Sequence, residues 1–153
     1  MENCVSDGLY CAYTPKFLDS YKVTNPNFEL TGREVLVQAL YEKCLHKLMS
    51  DKYKDEGTLF WTYFSYLDVC FVEDAIPVDT LDECFDWSTV LIDGNEEVET
   101  IEECVDSSFE VFGDYSTPNS ILQSDRDWAQ HKQMVFHPSI VVNNIVYKGD
   151  ISG

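Results

Sequence analysis

Six cysteines pose the first chemical choice in this 153-residue sequence. Cys4, Cys11, Cys44, Cys70, Cys84 and Cys104 form an even set with long, irregular gaps. A zinc knuckle or a dithiol redox pair needs two cysteines with two residues between them, and no pair here has that spacing. Thiol–disulfide catalysis also needs a low-pKa attacking cysteine beside a resolving one. The closest pair, Cys4 and Cys11, has six residues between its members and precedes any clear helix start. Three structural disulfides in an oxidising lumen fit the pattern, with fifteen connectivities open. Six reduced thiols of a cytosolic protein are the alternative.

The other reactive side chains gather into no ligand set. His46 and His131 fall on helical segments with no paired spacing, and His137, beside Pro138, reads as a packing or local hydrogen-bonding residue. Asp93, Glu96, Glu97, Glu99, Glu102 and Glu103 are dense enough to attract calcium loosely. They lack the alternating ligands and the glycine of an EF-hand loop, so a solvated charged face is the reading. No metal and no cofactor is expected.

The net charge is −18, and no Lys or Arg lies between Lys54 and Arg126. Phosphate backbones and anionic lipid surfaces are repelled by such a chain, which argues against nucleic-acid or peripheral membrane binding. The acidity serves solubility or, more sharply, offers an acidic face to basic partner segments. Hydrophobic content of 44% with 14% aromatics marks a globular chain, and its length fits one domain. There is no transmembrane run, and Met1-Glu2-Asn3-Cys4 opens on a polar stretch with no leader peptide. If the cysteines are oxidised, the stretch is expected to be a piece of a larger secretory protein. No Asn-x-Ser/Thr acceptor is present to mark the compartment independently.

The elements that position these groups are mostly helices. Residues 1–31 read as irregular. Thr31-Gly32-Arg33-Glu34 is a capping box opening a helix to about Ser50, with Val37, Leu40, Cys44 and Leu48 on one face. A second helix, about Thr58 to Phe71, is apolar nearly all round and is expected to be the most buried element. Thr80-Leu81-Asp82-Glu83-Cys84 and Thr100-Ile101-Glu102-Glu103-Cys104 echo each other as two further capping boxes, each with a cysteine just past it. Asn119 caps a segment reaching Met134. Last, Ile140-Val141-Val142 and Ile145-Val146-Tyr147 flank Asn143-Asn144, a two-residue turn that makes a tight hairpin. A proline just before such a hairpin is the arrangement of a thioredoxin-like sheet, where that bond is usually cis; Pro138 is the predicted cis-proline.

These motifs resemble the central luminal, thioredoxin-like domain of vacuolar sorting receptors. The resemblance runs from Cys4-Val5-Ser6-Asp7-Gly8-Leu9-Tyr10-Cys11-Ala12, through Gly32-Arg33-Glu34-Val35-Leu36-Val37-Gln38-Ala39-Leu40 and the later cysteines, to Pro138-Ser139-Ile140-Val141-Val142-Asn143-Asn144 and Tyr147-Lys148-Gly149. Ser139 stands where the family usually has Thr, and His137 where it has an aliphatic residue. The family also carries a strand and further cysteines ahead of Cys4 and a final helix after the hairpin.

The resemblance implies an α/β (α+β) thioredoxin-like domain over 1–153, with a disulfide-clamped helical insertion over about 31–134 and the hairpin over 138–149. As it stands, this stretch is expected to lack that fold's first strand and last helix. It implies a non-catalytic part of a type I membrane receptor in the lumen of the endomembrane system (Golgi, endosome or vacuole). That part would assist the binding of soluble cargo proteins and adjoin protease-associated and epidermal-growth-factor-like domains. No cargo-binding residue carries over. A lumenal thiol–disulfide oxidoreductase is the alternative from another class. Proximity in the chain and the shared inward face of the helices suggest the pairs Cys4–Cys11, Cys44–Cys104 and Cys70–Cys84.

Overall fold

The computed structural model describes residues 3–12, 31–54, 58–72, 88–90, 95–134 and 139–148. Their order is strand β1 (Cys4–Val5), a 3-10 turn at Ser6–Gly8, strand β2 (Tyr10–Cys11), helices α1 (Gly32–Tyr53), α2 (Thr58–Val72), α3 (Asn95–Ser107) and α4 (Ser120–His131), then strands β3 (Ser139–Val142) and β4 (Ile145–Lys148). The fold is α+β and mostly helical. Its two ladders, β1 with β2 and β3 with β4, are each antiparallel and are not paired with each other among the described residues.

The N-terminal stretch is more ordered than its composition suggests. Cys4 faces Cys11 in the β1–β2 register and is disulfide-bonded to it. The turn between them takes positive φ at Ser6, Asp7 and Gly8, a tight path that the covalent closure stabilises. This small loop abuts the start of α1. The Gly32 N–H donates to Asn3 Oδ1 at 2.9 Å, and a Cβ on Gly32 would stand 1.8 Å from the Ala12 carbonyl oxygen. Only glycine fits there.

Helix α1 begins as its sequence requires. The Thr31 side chain accepts the Glu34 N–H, and the Glu34 carboxylate accepts the Thr31 N–H, completing the capping box. Leu40, Tyr41, Cys44, Leu45 and Met49 lie buried along its inner face. Against them pack Ile101 and Val105 of α3, and Cys44 is bonded to Cys104. The Tyr41 hydroxyl meets Thr89 Oγ1 at 3.0 Å, which satisfies both buried groups.

Two expectations need correction. Among the described side chains helix α2 is not the most buried element: α1 sinks more of them, and Trp61 on α2 is 71% exposed. A uniformly apolar helix still meets its neighbour along one stripe, here Tyr63, Leu67 and Cys70 at spacings of three and four. The remaining rings pack on one another, Phe60 edge-on to both Phe64 and His46. Helix α3 starts at Asn95, ahead of the expected cap at Thr100. Its sequence opens Asn95-Glu96-Glu97, acidic residue types that favour a helix N-terminus, and half-buried Val98 lies one turn before Ile101. The echoing segment at 80–86 lies outside the described residues.

Asn119 caps α4 by accepting the Leu122 N–H at 2.9 Å while its amide donates to Ser108 Oγ at 2.6 Å. In the C-terminal hairpin Val142 pairs with Ile145, and Asn143 and Asn144 both take positive φ, as a two-residue turn between twisted strands demands. Pro138 lies outside the described residues.

Three outcomes follow from this packing. The Cys44–Cys104 bond spans 60 residues and the Cys4–Cys11 bond 7; the chain-entropy relation then gives about 4 and about 2.5 kcal/mol of stabilisation. Denaturant melts of the two paired Cys→Ala variants should keep that order. Asn119→Ala should cost about 1–2 kcal/mol, because it removes the cap and the amide's hydrogen bond to the buried Ser108 hydroxyl, which keeps only its bond to the Val105 carbonyl. Burial raises the Glu42 carboxyl above its ordinary value, opposed by the Gln38 hydrogen bond. The folded state therefore holds that proton more tightly, and its penalty for charged Glu42 fades as pH falls toward the unfolded carboxylate range. Glu42→Gln should raise the melting temperature at neutral pH, and the gain should vanish near pH 4; a pH-independent gain would refute the assignment.

Candidate functional site

The N-terminal hairpin, the connection over residues 108–119 and helix α4 meet in one polar junction. Ser6 donates twice, its N–H to the Tyr115 carbonyl and its hydroxyl to the Thr117 carbonyl, each at 2.8 Å. The Tyr10 hydroxyl donates to Gln123 Oε1 at 2.9 Å, and Arg126 Nη2 donates to the same oxygen at 2.7 Å. The Arg126 guanidinium also lies 5.4 Å from the centre of the Tyr10 ring, while its buried Nε has no hydrogen-bond partner. Tyr10 thus ties the disulfide-closed hairpin to α4.

Beside this tie runs an open groove of about 380 Å³, lined by Tyr10, Phe109, Pro118, Asn119, Ser120 and Gln123. Its walls are set by two close backbone crossings, the Glu110 N–H to the Pro118 carbonyl and the Ser120 N–H to the Ser108 carbonyl. The buried Asn119 and Ser108 are satisfied by each other and by the helix end, so the groove floor offers no orphaned polar group.

The outer turns of the connection are held from several sides. The Phe109 and Tyr115 rings stack with centres 4.7 Å apart, and the Arg33 guanidinium lies 5.2 Å from the Tyr115 ring centre. Gly113, at φ +69°, donates its N–H to the Asp106 carbonyl. The Asp114 carboxylate accepts the Ser116 hydroxyl at 2.6 Å and the Ser116 N–H at 3.0 Å. Those hydrogen bonds, the hydroxyl's first, hold its carboxyl below the usual carboxylate range. At the outermost point Val111 and Phe112 stand in solvent.

The sequence-predicted residues fall elsewhere. Cys4, Cys11, Cys44 and Cys104 are consumed in two disulfides. Cys70 is disulfide-bonded as well, and its expected partner, Cys84, lies outside the described residues. His46 and His131 are exposed on separate helices, and His137 lies outside the described residues. Glu99, Glu102 and Glu103 are solvated on α3. Among the described residues no group of three or more His, Cys, Asp or Glu could hold a metal ion. The Tyr10–Gln123–Arg126 tie and the 108–119 connection escape the sequence reading. Their only local signals are the Phe-Gly-Asp turn dipeptides and the Asp-x-Ser of an Asx turn.

Comparison with curated proteins and with solved structures returns no match for this chain. A family model described as the vacuolar sorting receptor thioredoxin-like domain matches residues 1–153, the entire sequence. The chain therefore belongs to the vacuolar sorting receptor thioredoxin-like domain family.

Proposed function

We propose that this chain is a non-catalytic luminal domain of a protein-sorting receptor that assists the capture of soluble cargo proteins bound for a vacuole or lysosome-like compartment. The observation that carries the reading is the family match over the whole chain. The cysteine chemistry supports it. All five described cysteines are in disulfides, as suits an oxidising lumen, and none of them is a thiolate ready to attack. No helix among the described residues is long and apolar enough to cross a membrane. On this reading the membrane span of a type I receptor, the protease-associated domain and the epidermal-growth-factor-like repeats belong to other parts of the same polypeptide. The domain holds cargo by its surface and performs no bond chemistry.

Disruption of the gene in the cell that makes this protein should divert soluble vacuolar hydrolases into the medium, read as hydrolase activity outside the cell. Re-expression of the intact receptor should restore their retention. Unchanged hydrolase distribution would refute the sorting role. The purified chain should not accelerate insulin reduction by dithiothreitol; an acceleration abolished by Cys4→Ser would instead establish an oxidoreductase.

A further inference from the structure

The connection between α3 and α4 holds two neighbouring apolar side chains in water on a scaffold that does not let them retract. Val111 is 54% exposed and Phe112 63%. A flexible loop would fold such groups back, since burying apolar surface is favourable. Here the backbone on either side is committed. The Val111 N–H donates to Thr117 Oγ1 and its carbonyl accepts the Asp114 N–H, while the Gly113 N–H is held by Asp106 and the Thr117 hydroxyl by the Asp114 carbonyl. The Phe109–Tyr115 stack and the two Ser6 hydrogen bonds anchor the same turns to the body. The tip is fixed before any partner arrives, so little freedom of the loop remains to be lost on binding.

Its surroundings specify the partner's chemistry. Glu110 and Asp114 flank the pair, the Asp106 carboxylate lies beside Gly113, and the Ser116 hydrogen bonds keep Asp114 ionised into the acid range. Arg33, the cation at this loop, is engaged over the Tyr115 ring. The sequence supplies no Lys or Arg between Lys54 and Arg126, so the tip sits in the middle of a purely acidic stretch. Anionic bilayers and nucleic acids are repelled from it, and so is a second copy carrying the same charge of −18. A polypeptide with Lys or Arg around apolar side chains is attracted by the field and covers the exposed ring.

We infer that the Val111–Phe112 tip is a docking point for a basic polypeptide segment bearing apolar side chains. The inference stands on this loop and its charges, whether or not the sorting role holds. Calorimetric titration of the full chain with matched synthetic peptides tests it. One peptide carries Lys and Arg around Leu and Phe, a second replaces the apolar residues by Ser, and a third replaces the basic residues by Glu. The first should bind, more weakly as ionic strength rises, and Phe112→Ser should weaken it by at least about tenfold. Thermal melting of that variant should match the parent, because the ring buries little. The Ser and Glu peptides should bind far less well. A paired Ile145→Ser and Tyr147→Ser variant, at another exposed apolar site, should bind the first peptide normally. Equal affinity of the parent and Phe112→Ser, or of the first and second peptides, would overturn the inference. So would loss of binding in the hairpin variant alone, or a dimer in sedimentation equilibrium that Phe112→Ser dissolves.

Discussion

The covalent link between Cys44 and Cys104 is the constraint on which the helical body depends. Helix α3 carries Glu96, Glu97, Glu99, Glu102, Glu103 and Asp106 with no basic residue in its sequence. Pairs such as Glu99 with Glu103 and Glu102 with Asp106 are like charges one turn apart, each destabilising an isolated helix by about 0.2–0.5 kcal/mol. What holds the helix in place is its narrow apolar stripe, Ile101 and Val105, packed beside a sulfur bridge to α1. The bridge fixes the register between the two helices, so Leu40 and Leu45 become fully buried despite the self-repulsion of the surface.

From that fixed pair the rest is assembled by further apolar packing, with Val5, Phe109 and Leu122 joining the same core, and by polar ties. Tyr10, Ser6 and Asn3 reach from the N-terminal hairpin to α4, to the 108–119 connection and to the head of α1. Each tie joins segments far apart in sequence through a single hydrogen-bonded side chain. The ion pair of Lys43 with Asp125, at 2.9 Å, is solvent-exposed and adds little. A chain with an acidic exterior thus obtains its shape from sulfur bridges, a compact apolar seam and a handful of directional contacts.

Local signals were legible in the sequence where the physics is local. Thr31 with Glu34, Asn119 as a helix cap, and Asn143-Asn144 between β-branched runs are each decided within a few residues, and the structure forms each of them. The inward placing of Cys44 follows from helical spacing alone. The start of α3 does not, because a second acceptable beginning at Asn95, followed by two glutamates, competes with Thr100. The exposure of Trp61 depends on how many neighbours α2 finds, which periodicity cannot count. The Tyr10–Gln123–Arg126 tie joins residues more than a hundred positions apart, and nothing nearby in sequence announces it.

Gly32 has a consequence for how this molecule tolerates change. The Ala12 carbonyl occupies the volume that any side chain at position 32 would need, and that carbonyl is backbone, so no rotamer can step aside. Every other amino acid there would prise the first turn of α1 away from the disulfide-closed loop. A hydrogen atom at one position is thus the hinge pin between the two halves of the amino-terminal region, and variation in the flanking residues is free only while it stays in place.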